Sequence, residues 1–400
     1  MINTSIYREV KKWKKPIHIS KSLAAKTYLK ALRNIDVVAI TGSVGKTLTQ
    51  NAIYSVLSQK YKVAVGEDNL DPTFRIPQTI SKMAPWTQKL ILEYGIEHPG
   101  DMDHYLNIAK PKISVITHIA PTHLKYFGSV HGVFDEKSKL ISALPKDGFA
   151  VLNADDPLVA KMANLTVAKI LWFGKKAKNG VKISHYTQSV KGAKFRLHYK
   201  GQKASVNWKV IGEHQLTSAY AAATVGIVLG LTVKQIAKGL SQVKPPIHRL
   251  NVVNTSKFTI LDDTYNSSPL AVQESLKTLI SLGKNKPKIA ILGEMRDQGE
   301  HSRQVHLKIG QIIAKTNLSN LYTIGDVAKI ISDSAKRSGF KGNTRNFQNT
   351  KLASLFIKKS LKKNSVVLVK GSRHEHLERI VFALLGKNTA VSCYHCGQLS

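Results

Sequence analysis

Cysteine is almost absent from this 400-residue chain, with only Cys393 and Cys396, both close to the C-terminus. A disulfide framework is thereby excluded, and the composition suits a reducing compartment. The Cys-Tyr-His-Cys spacing around His395 is half of a zinc pattern. No second CxxC or HxxxH pair accompanies it, so it reads as an incidental tail sequence. Long apolar runs are missing too: none approaches the ~18 residues of a membrane-crossing helix. The start, MINTSIYREVKKWKK, has no signal-peptide apolar region, and a cytoplasmic protein is expected. Acidic residues are scarce, 25 against 60 Lys and Arg, for a net charge of +35. Such a field draws nucleotides, nucleic acid, phospholipid surfaces and other polyanions alike. The lysines are scattered rather than gathered, which argues against a dedicated nucleic-acid surface and leaves lineage composition as the plain alternative. No internal repeat or low-complexity stretch is present.

What the chain does have is enough apolar material, 42%, for two or three cores. Short apolar runs at 37–41, 63–66, 90–94, 113–116, 150–152 and 170–173 alternate with helical patterns, the mark of a mostly parallel α/β sheet. From Val181 to Val210 the rhythm becomes strict alternation, which predicts a small antiparallel meander. An alanine-rich helix follows over 212–230, and Lys244-Pro245-Pro246 marks a hinge. Beyond it, runs at 258–262, 288–292, 321–324 and 366–369 predict a second, Rossmann-like α/β domain. The expected organisation is a basic arm (1–36), a central domain (37–244), a C-terminal domain (245–390) and a tail (391–400).

The most informative stretch is VVAITGSVGKT, Val37 to Thr47, an apolar strand running into a glycine-rich loop and then a helix. Gly42 and Gly45 let backbone N–H groups turn toward phosphate oxygens. Lys46 reaches the outer phosphates, and the Thr47 hydroxyl is placed for Mg2+. Thr41, Ser43 and Val44 complete the loop. The general phosphate-loop pattern fails at its first glycine, where Ile40 stands, but the shorter T-G-x-x-G-K-T variant fits fully.

That variant, followed in order by LEYGIEHPGDM (92–102), ITHIAPTHLKYFGS (116–129), VLNADDP (151–157), LDDTYNSSP (261–269), LGEMRDQGE (292–300) and KGSRHEHLE (370–378), resembles the Mur ligase family. Its wording is closest to the branch that adds D-alanyl-D-alanine to a muramoyl tripeptide. The resemblance implies an ATP- and Mg2+-dependent ligase that joins a carboxylate or peptide acceptor to an amino acid or dipeptide amine through an acyl phosphate, releasing ADP and phosphate. Thr47 and Glu93 would serve one metal ion and His123 a second. Lys137, in FDEKSKL, matches a lysine that in many family members is carbamylated to support the second metal. Arg249 would reach the γ-phosphate, Asp263 the ribose, and Asn266 would orient nucleotide or nucleophile. Lys370, Ser372 and Arg373 would face substrate carboxylates. The bland alternatives are a strand-end carboxylate for Glu93, a structural histidine for His123, an exposed lysine for Lys137 and a capping turn for residues 370–373.

Departures from the family pattern touch nucleotide positioning: Val44, Leu48, Pro72, Arg75, Gln215 and Ser218 stand where other residues are usual, while Asn69 is retained. Residues 1–36 are too short for the uridine-diphosphate-binding domain that such ligases carry. This basic arm, with Trp13, Ile17, Ile19 and Leu23 interleaved, would lie on an anionic membrane or on the enzyme itself. A monomer without a specific nucleic-acid partner is expected, in the cytoplasm or peripheral to the inner membrane face. Two alternatives stay open: a ligase acting on a polyglutamate or lipid-linked acid, and a non-catalytic phosphate-loop protein that binds nucleic acid by charge.

Overall fold

A computed structural model of the chain describes residues 6–7, 10–32, 35–66 and 71–387. Cys393, Cys396 and Asn69 lie outside them. The chain divides into two compact units. One comprises residues up to 187 together with 194–209 and 215–244; the other comprises 188–193, 210–214 and 245 onward. The last crossing between them falls between Lys244 and Pro245.

In the first unit β1 (Asp36–Thr41), β2 (Val63–Val65), β3 (Lys89–Glu93), β4 (Ile113–Ile116), β5 (Phe149–Asn153) and β6 (Lys169–Phe173) form a parallel sheet ordered β2-β3-β1-β4-β5-β6. Helix α1 (Lys15–Ala31) precedes it. The crossovers contain α2 (Lys46–Leu57), α3 (Pro72–Lys82), α4 (Asp101–Ile108), α5 (Leu124–Phe127), α6 (Val130–Ser142) and α7 (Pro157–Lys161). β1 and β4 are buried along almost their whole length because helices cover both sheet faces, which is why they read as unbroken apolar runs. The alternating stretch forms β7 (Lys182–Ser189), β8 (Gly192–Tyr199) and β9 (Gln202–Trp208), a separate three-stranded sheet. Helices α8 (Leu216–Val228) and α9 (Val233–Ser241) pack on α2.

The basic arm is not a solvated tail. Tyr7 is buried and its hydroxyl shares a 2.9 Å hydrogen bond with Ser22 on the inner face of α1. Tyr28 of α1 donates to the Met83 carbonyl at 3.1 Å, and Lys26 donates to Asn107 at 2.6 Å. The arm thus joins the first unit along α3 and α4.

The second unit holds β10 (Asn251–Asn254), β11 (Thr259–Asp263), β12 (Lys288–Leu292), β13 (Asn320–Ile324), β14 (Asn343–Phe347) and β15 (Val366–Lys370), ordered β10-β11-β15-β12-β13-β14. All neighbours are parallel except β10 against β11. Its helices are α10 (Pro269–Gly283), α11 (Ser302–Ala314), α12 (Asp326–Arg337), α13 (Thr350–Ser360) and α14 (Glu378–Leu384). Two edge strands, β10 and β14, were not anticipated. Residues 343–347 read NTRNF, too polar to register as a strand, because an edge strand is covered less completely.

Glu375 ties together the loops that leave β12 and β15. Its carboxylate accepts the Glu294 N–H at 2.8 Å, and the Ser372 N–H and hydroxyl at 3.2 and 3.3 Å. A Cβ at Gly293 would fall 2.1 Å from Glu375 Oε2 and would displace that carboxylate. Burial outweighs these hydrogen bonds and raises the Glu375 carboxyl from 4.5 to about 7. A carboxyl with a higher pKa folded than unfolded binds its proton better in the native state. Its contribution to stability is therefore whole below pH 4.5 and is lost as pH climbs through about 7. The shift corresponds to roughly 3 kcal/mol at most. Thermal unfolding across pH 4–8 should show the wild-type protein losing stability over that window relative to Glu375→Gln. Parallel profiles for the two proteins would refute the assignment.

Candidate active site

The first unit's site is built at the C-terminal end of β1. Gly42, with φ of 147°, lies so close to the end of β4 that a Cβ would meet Thr117 Oγ1 at 2.0 Å. The Ser43 N–H donates to the His118 carbonyl at 2.7 Å, and Thr117 Oγ1 donates to the Val44 carbonyl at 2.7 Å. The Ser43 hydroxyl bridges Ala120, bonding its carbonyl and its N–H at 2.9 Å each. Thr41 Oγ1 donates to the Tyr94 carbonyl at 2.6 Å. These bonds hold the loop from 42 to 45 rigidly against β4. Gly45, at φ 83°, then turns the chain into α2.

Lys46 and Thr47 open α2, so their N–H groups and the positive end of the helix lie where phosphate is stabilised. Lys46 Nζ donates to the Gly42 carbonyl at 2.9 Å, which lays its ammonium over the loop. Thr47 Oγ1 donates to Glu93 Oε2 at 3.0 Å, joining the first turn of α2 to the end of β3. Both residues are buried. A buried hydroxyl and carboxylate at a phosphate loop fit Mg2+, which takes oxygen ligands, needs one or two carboxylates and completes its shell with phosphate and water. Among the described residues no group of three or more His, Cys, Asp or Glu forms a self-contained cage.

Lys137, on α6, is only 2% exposed. Burial pushes its ammonium well below the usual lysine range, and the charge of Lys46 adds to this. Glu136, Glu93 and Asp101 pull the other way. Lys137 is therefore neither an exposed lysine nor remote from the phosphate loop. His123 stands at the N-terminus of α5 with φ of 53°, next to Thr122, whose hydroxyl lies 3.3 Å from that of Ser43.

Arg75 was read as a departure from the family pattern and nothing more. The structure gives it a place: its guanidinium, buried, lies 3.6 Å from Glu93 Oε2 and donates to the Glu93 carbonyl at 3.3 Å. No local signal in the sequence announces this, because the contact joins α3 to β3. Ser218, the other departure, bonds Thr49 of α2 at 2.9 Å.

In the second unit Arg249 stacks on the Tyr265 ring, 4.0 Å from its centroid. Asp263 accepts from Lys370 at 2.6 Å, Ser275 at 2.6 Å and the Leu250 N–H at 3.1 Å. Lys370 also donates to the Asn266 carbonyl at 2.9 Å. Asp263 and Lys370 are paired positions on neighbouring strands, and the buried Lys370 ammonium is engaged by the Asp263 carboxylate. Asp263 is likewise engaged internally rather than presented. The Asn266 side chain accepts its neighbour's N–H at 2.8 Å. Ser372 caps a short turn with Glu375, and Arg373 lies 3.3 Å from buried Glu378.

Residues 40–226 match the Mur ligase middle domain, and residues 248–373 match the Mur ligase glutamate ligase domain. The UDP-N-acetylmuramoyl-tripeptide–D-alanyl-D-alanine ligase of Buchnera aphidicola subsp. Baizongia pistaciae is 31% identical over 361 residues, an alignment spanning 90% of this chain and 77% of that protein. The chain belongs to the Mur ligase family. Solved structures agree. MurF from Acinetobacter baumannii superposes with a TM-score of 0.85 at 25% identity, covering 92% of this Mur ligase and 81% of that chain. MurF from Thermotoga maritima in complex with ADP gives 0.81 at 25% identity, covering 92% and 84%. Membership displaces the alternative of a non-catalytic nucleic-acid-binding protein: this is an ATP-dependent ligase.

A metal cation at Glu93 would share that carboxylate with the Arg75 guanidinium. Arg75→Ala breaks a buried ion pair and should cost about 3 kcal/mol of stability in chelator. Part of that loss should return when Mg2+ is added, because the cation restores a positive charge at Glu93. Thermal unfolding with and without Mg2+ measures this. An equal loss under both conditions would show that Arg75 acts only in packing α3.

Proposed function

We propose that this enzyme joins D-alanyl-D-alanine to the free carboxylate of a muramoyl tripeptide, in the making of peptidoglycan precursor. The observation that carries the reading is the cluster of half-buried Lys46 with buried Thr47, Glu93 and Lys137 at the end of the first sheet, in a chain whose relatives bear that activity's name. The polyglutamate alternative has no comparable support. The reaction starts with transfer of the γ-phosphoryl group of ATP to the acceptor carboxylate, since a carboxylate is a poor acyl donor. The dipeptide amine then attacks the acyl carbon, and phosphate leaves from the tetrahedral intermediate.

The chain's own groups have distinct parts. The N–H groups of residues 42 to 47 and the Lys46 ammonium cradle the β- and γ-phosphates. Mg2+, held by Thr47 and Glu93 and in a second position by His123 and Lys137, would supply neutralising charge to the phosphates. Lys137 would act there as a carbamate: the ammonium gives up one proton, and the neutral amine adds to CO2, forming an N–C bond and releasing a second proton, so that a cation is replaced by an anion. The depressed lysine pKa supports this step, which needs the unprotonated amine. Arg249 supplies the second unit's cation for the phosphoryl group, and Asn266 contacts nucleotide or nucleophile. Arg373 and Ser372 bind substrate carboxylate, while Asp263 and Lys370 set the loops that carry these groups. The enzyme works as a cytoplasmic monomer in contact with an anionic membrane surface. Among the described residues no helix is long and apolar enough to cross a membrane.

Two outcomes test the cluster. Lys46→Ala should lower amine-dependent ADP release by at least a hundredfold with the thermal unfolding profile retained, since an unshielded outer phosphate is left at the transferring group. Unchanged turnover would sink the ligase mechanism. Lys137→Ala should also be inactive, and short-chain carboxylates such as acetate should restore part of the activity by occupying the carbamate's position. An alanine variant with wild-type turnover would leave Lys137 a buried structural amine.

A further inference from the structure

The face of α1 that turns away from the protein is as ordered as the face that packs. Ser22 and Ala25 are buried, and Tyr28 and Leu29 pack on the core. On the opposite side the helical period lines up Pro16, Ile17, Ser20, Ala24, Thr27 and Ala31, with Leu23 beside them and Trp13 in the 3-10 turn just before the helix. Trp13 is 67% exposed, Ile17 46% and Leu23 50%, a concentration of large apolar groups that a purely solvated helix does not need. Exposed Lys14, Lys21 and Lys30 flank the strip, and no acidic residue occurs anywhere from Val10 to Ile35. At its far end Ala31 and Leu32 line a cleft with Ile35, Tyr61, Pro85 and Trp86. Trp86 is itself 67% exposed, with Lys62 lying over its ring.

An apolar strip bordered by lysines and ended by tryptophans has the composition of a helix lying in a bilayer interface. Indole rings favour the headgroup level, aliphatic side chains enter the acyl boundary, and lysines reach back to anionic headgroups. A protein partner would need acidic groups along the same length without the matching plane of apolar depth. We propose that the outer face of α1, with Trp86 beyond its C-terminal end, docks this enzyme on a bilayer containing anionic phospholipid. The proposal rests on the reading of a membrane-proximal ligase and assigns that contact to a surface separate from the nucleotide site.

Flotation of the full chain with vesicles of equal parts phosphatidylglycerol and phosphatidylcholine, against pure phosphatidylcholine vesicles, tests it. The wild-type protein should bind the anionic vesicles and ignore the neutral ones. Replacing Trp13, Ile17 and Leu23 together by serine should weaken binding at least tenfold, although the formal charge is unchanged. Replacing Lys14, Lys21 and Lys30 by glutamine should weaken it by about two orders of magnitude at low salt, about fivefold per charge. Replacing Lys194, Lys200 and Lys203, exposed on the small sheet of the same unit, removes equal charge and should cost far less. ADP release with a soluble acceptor should be unaltered in all three variants, which separates failure of docking from failure of the ligase reading. The proposal is overturned if the wild-type protein does not bind the anionic vesicles, if the serine variant binds as well as wild type, or if the small-sheet variant loses as much as the α1 lysine variant.

Discussion

The hydrogen bond from Thr47 to Glu93 joins the first turn of α2 to the end of β3, and the chemistry of the first unit is arranged around it. It exists because β1 and β3 are adjacent parallel strands with Ile40 opposite Glu93, so the loop after one strand overhangs the carboxylate ending the other. Around that carboxylate stand Lys46 over the loop, Arg75 from α3 and Lys137 from α6. Glu136 and Asp101 add carboxylates near Lys137, but burial outweighs them and the charge of Lys46 adds to it. Lys137, the most deeply desolvated, is the one driven toward neutrality. The carbamylation proposed for Lys137 would draw on that depressed ammonium, and the phosphate contact proposed for Lys46 would lie beside it.

Much of this was legible in the sequence because parallel strands covered on both faces leave unbroken apolar runs, and because the phosphate loop needs glycine at fixed positions. Gly42, Gly45, Lys46, Thr47 and Glu93 could be placed before any coordinates. What escaped was information carried between distant elements. Arg75 differs from the expected loop residue, and only the packing of α3 on β3 shows it as a partner of Glu93. Lys370 ends a strand and begins a Gly-Ser turn, which resembles a presented base. The register of β15 against β11 puts it opposite Asp263 instead. Strand β14 was hidden by its polarity. The basic arm was open to two readings, and the structure shows one of them, packing on the enzyme, while Trp13, Ile17 and Leu23 stay exposed.

The second unit solves a conformational problem around Arg249. His248 and Leu250, on either side of it, both have left-handed backbones, at φ 59° and 57°, which costs non-glycine residues roughly 1–2 kcal/mol each. Two consecutive aspartates at the end of β11 offset this. Asp262 pairs with His248 Nδ1 at 2.7 Å, and Asp263 accepts the Leu250 N–H at 3.1 Å. Hydrogen bonds to charged groups contribute about 1.5–3 kcal/mol, enough to hold both residues. The Tyr265 N–H closes the turn on the His248 carbonyl at 3.0 Å, and its ring receives the Arg249 guanidinium. Two buried carboxylates side by side would repel, and Lys370, bonded to Asp263, relieves that repulsion. The order of dependence is therefore Lys370, Asp263, Leu250, Arg249. The pose of Arg249 on Tyr265 thus leans on a buried ion pair between two neighbouring strands, Lys370 with Asp263.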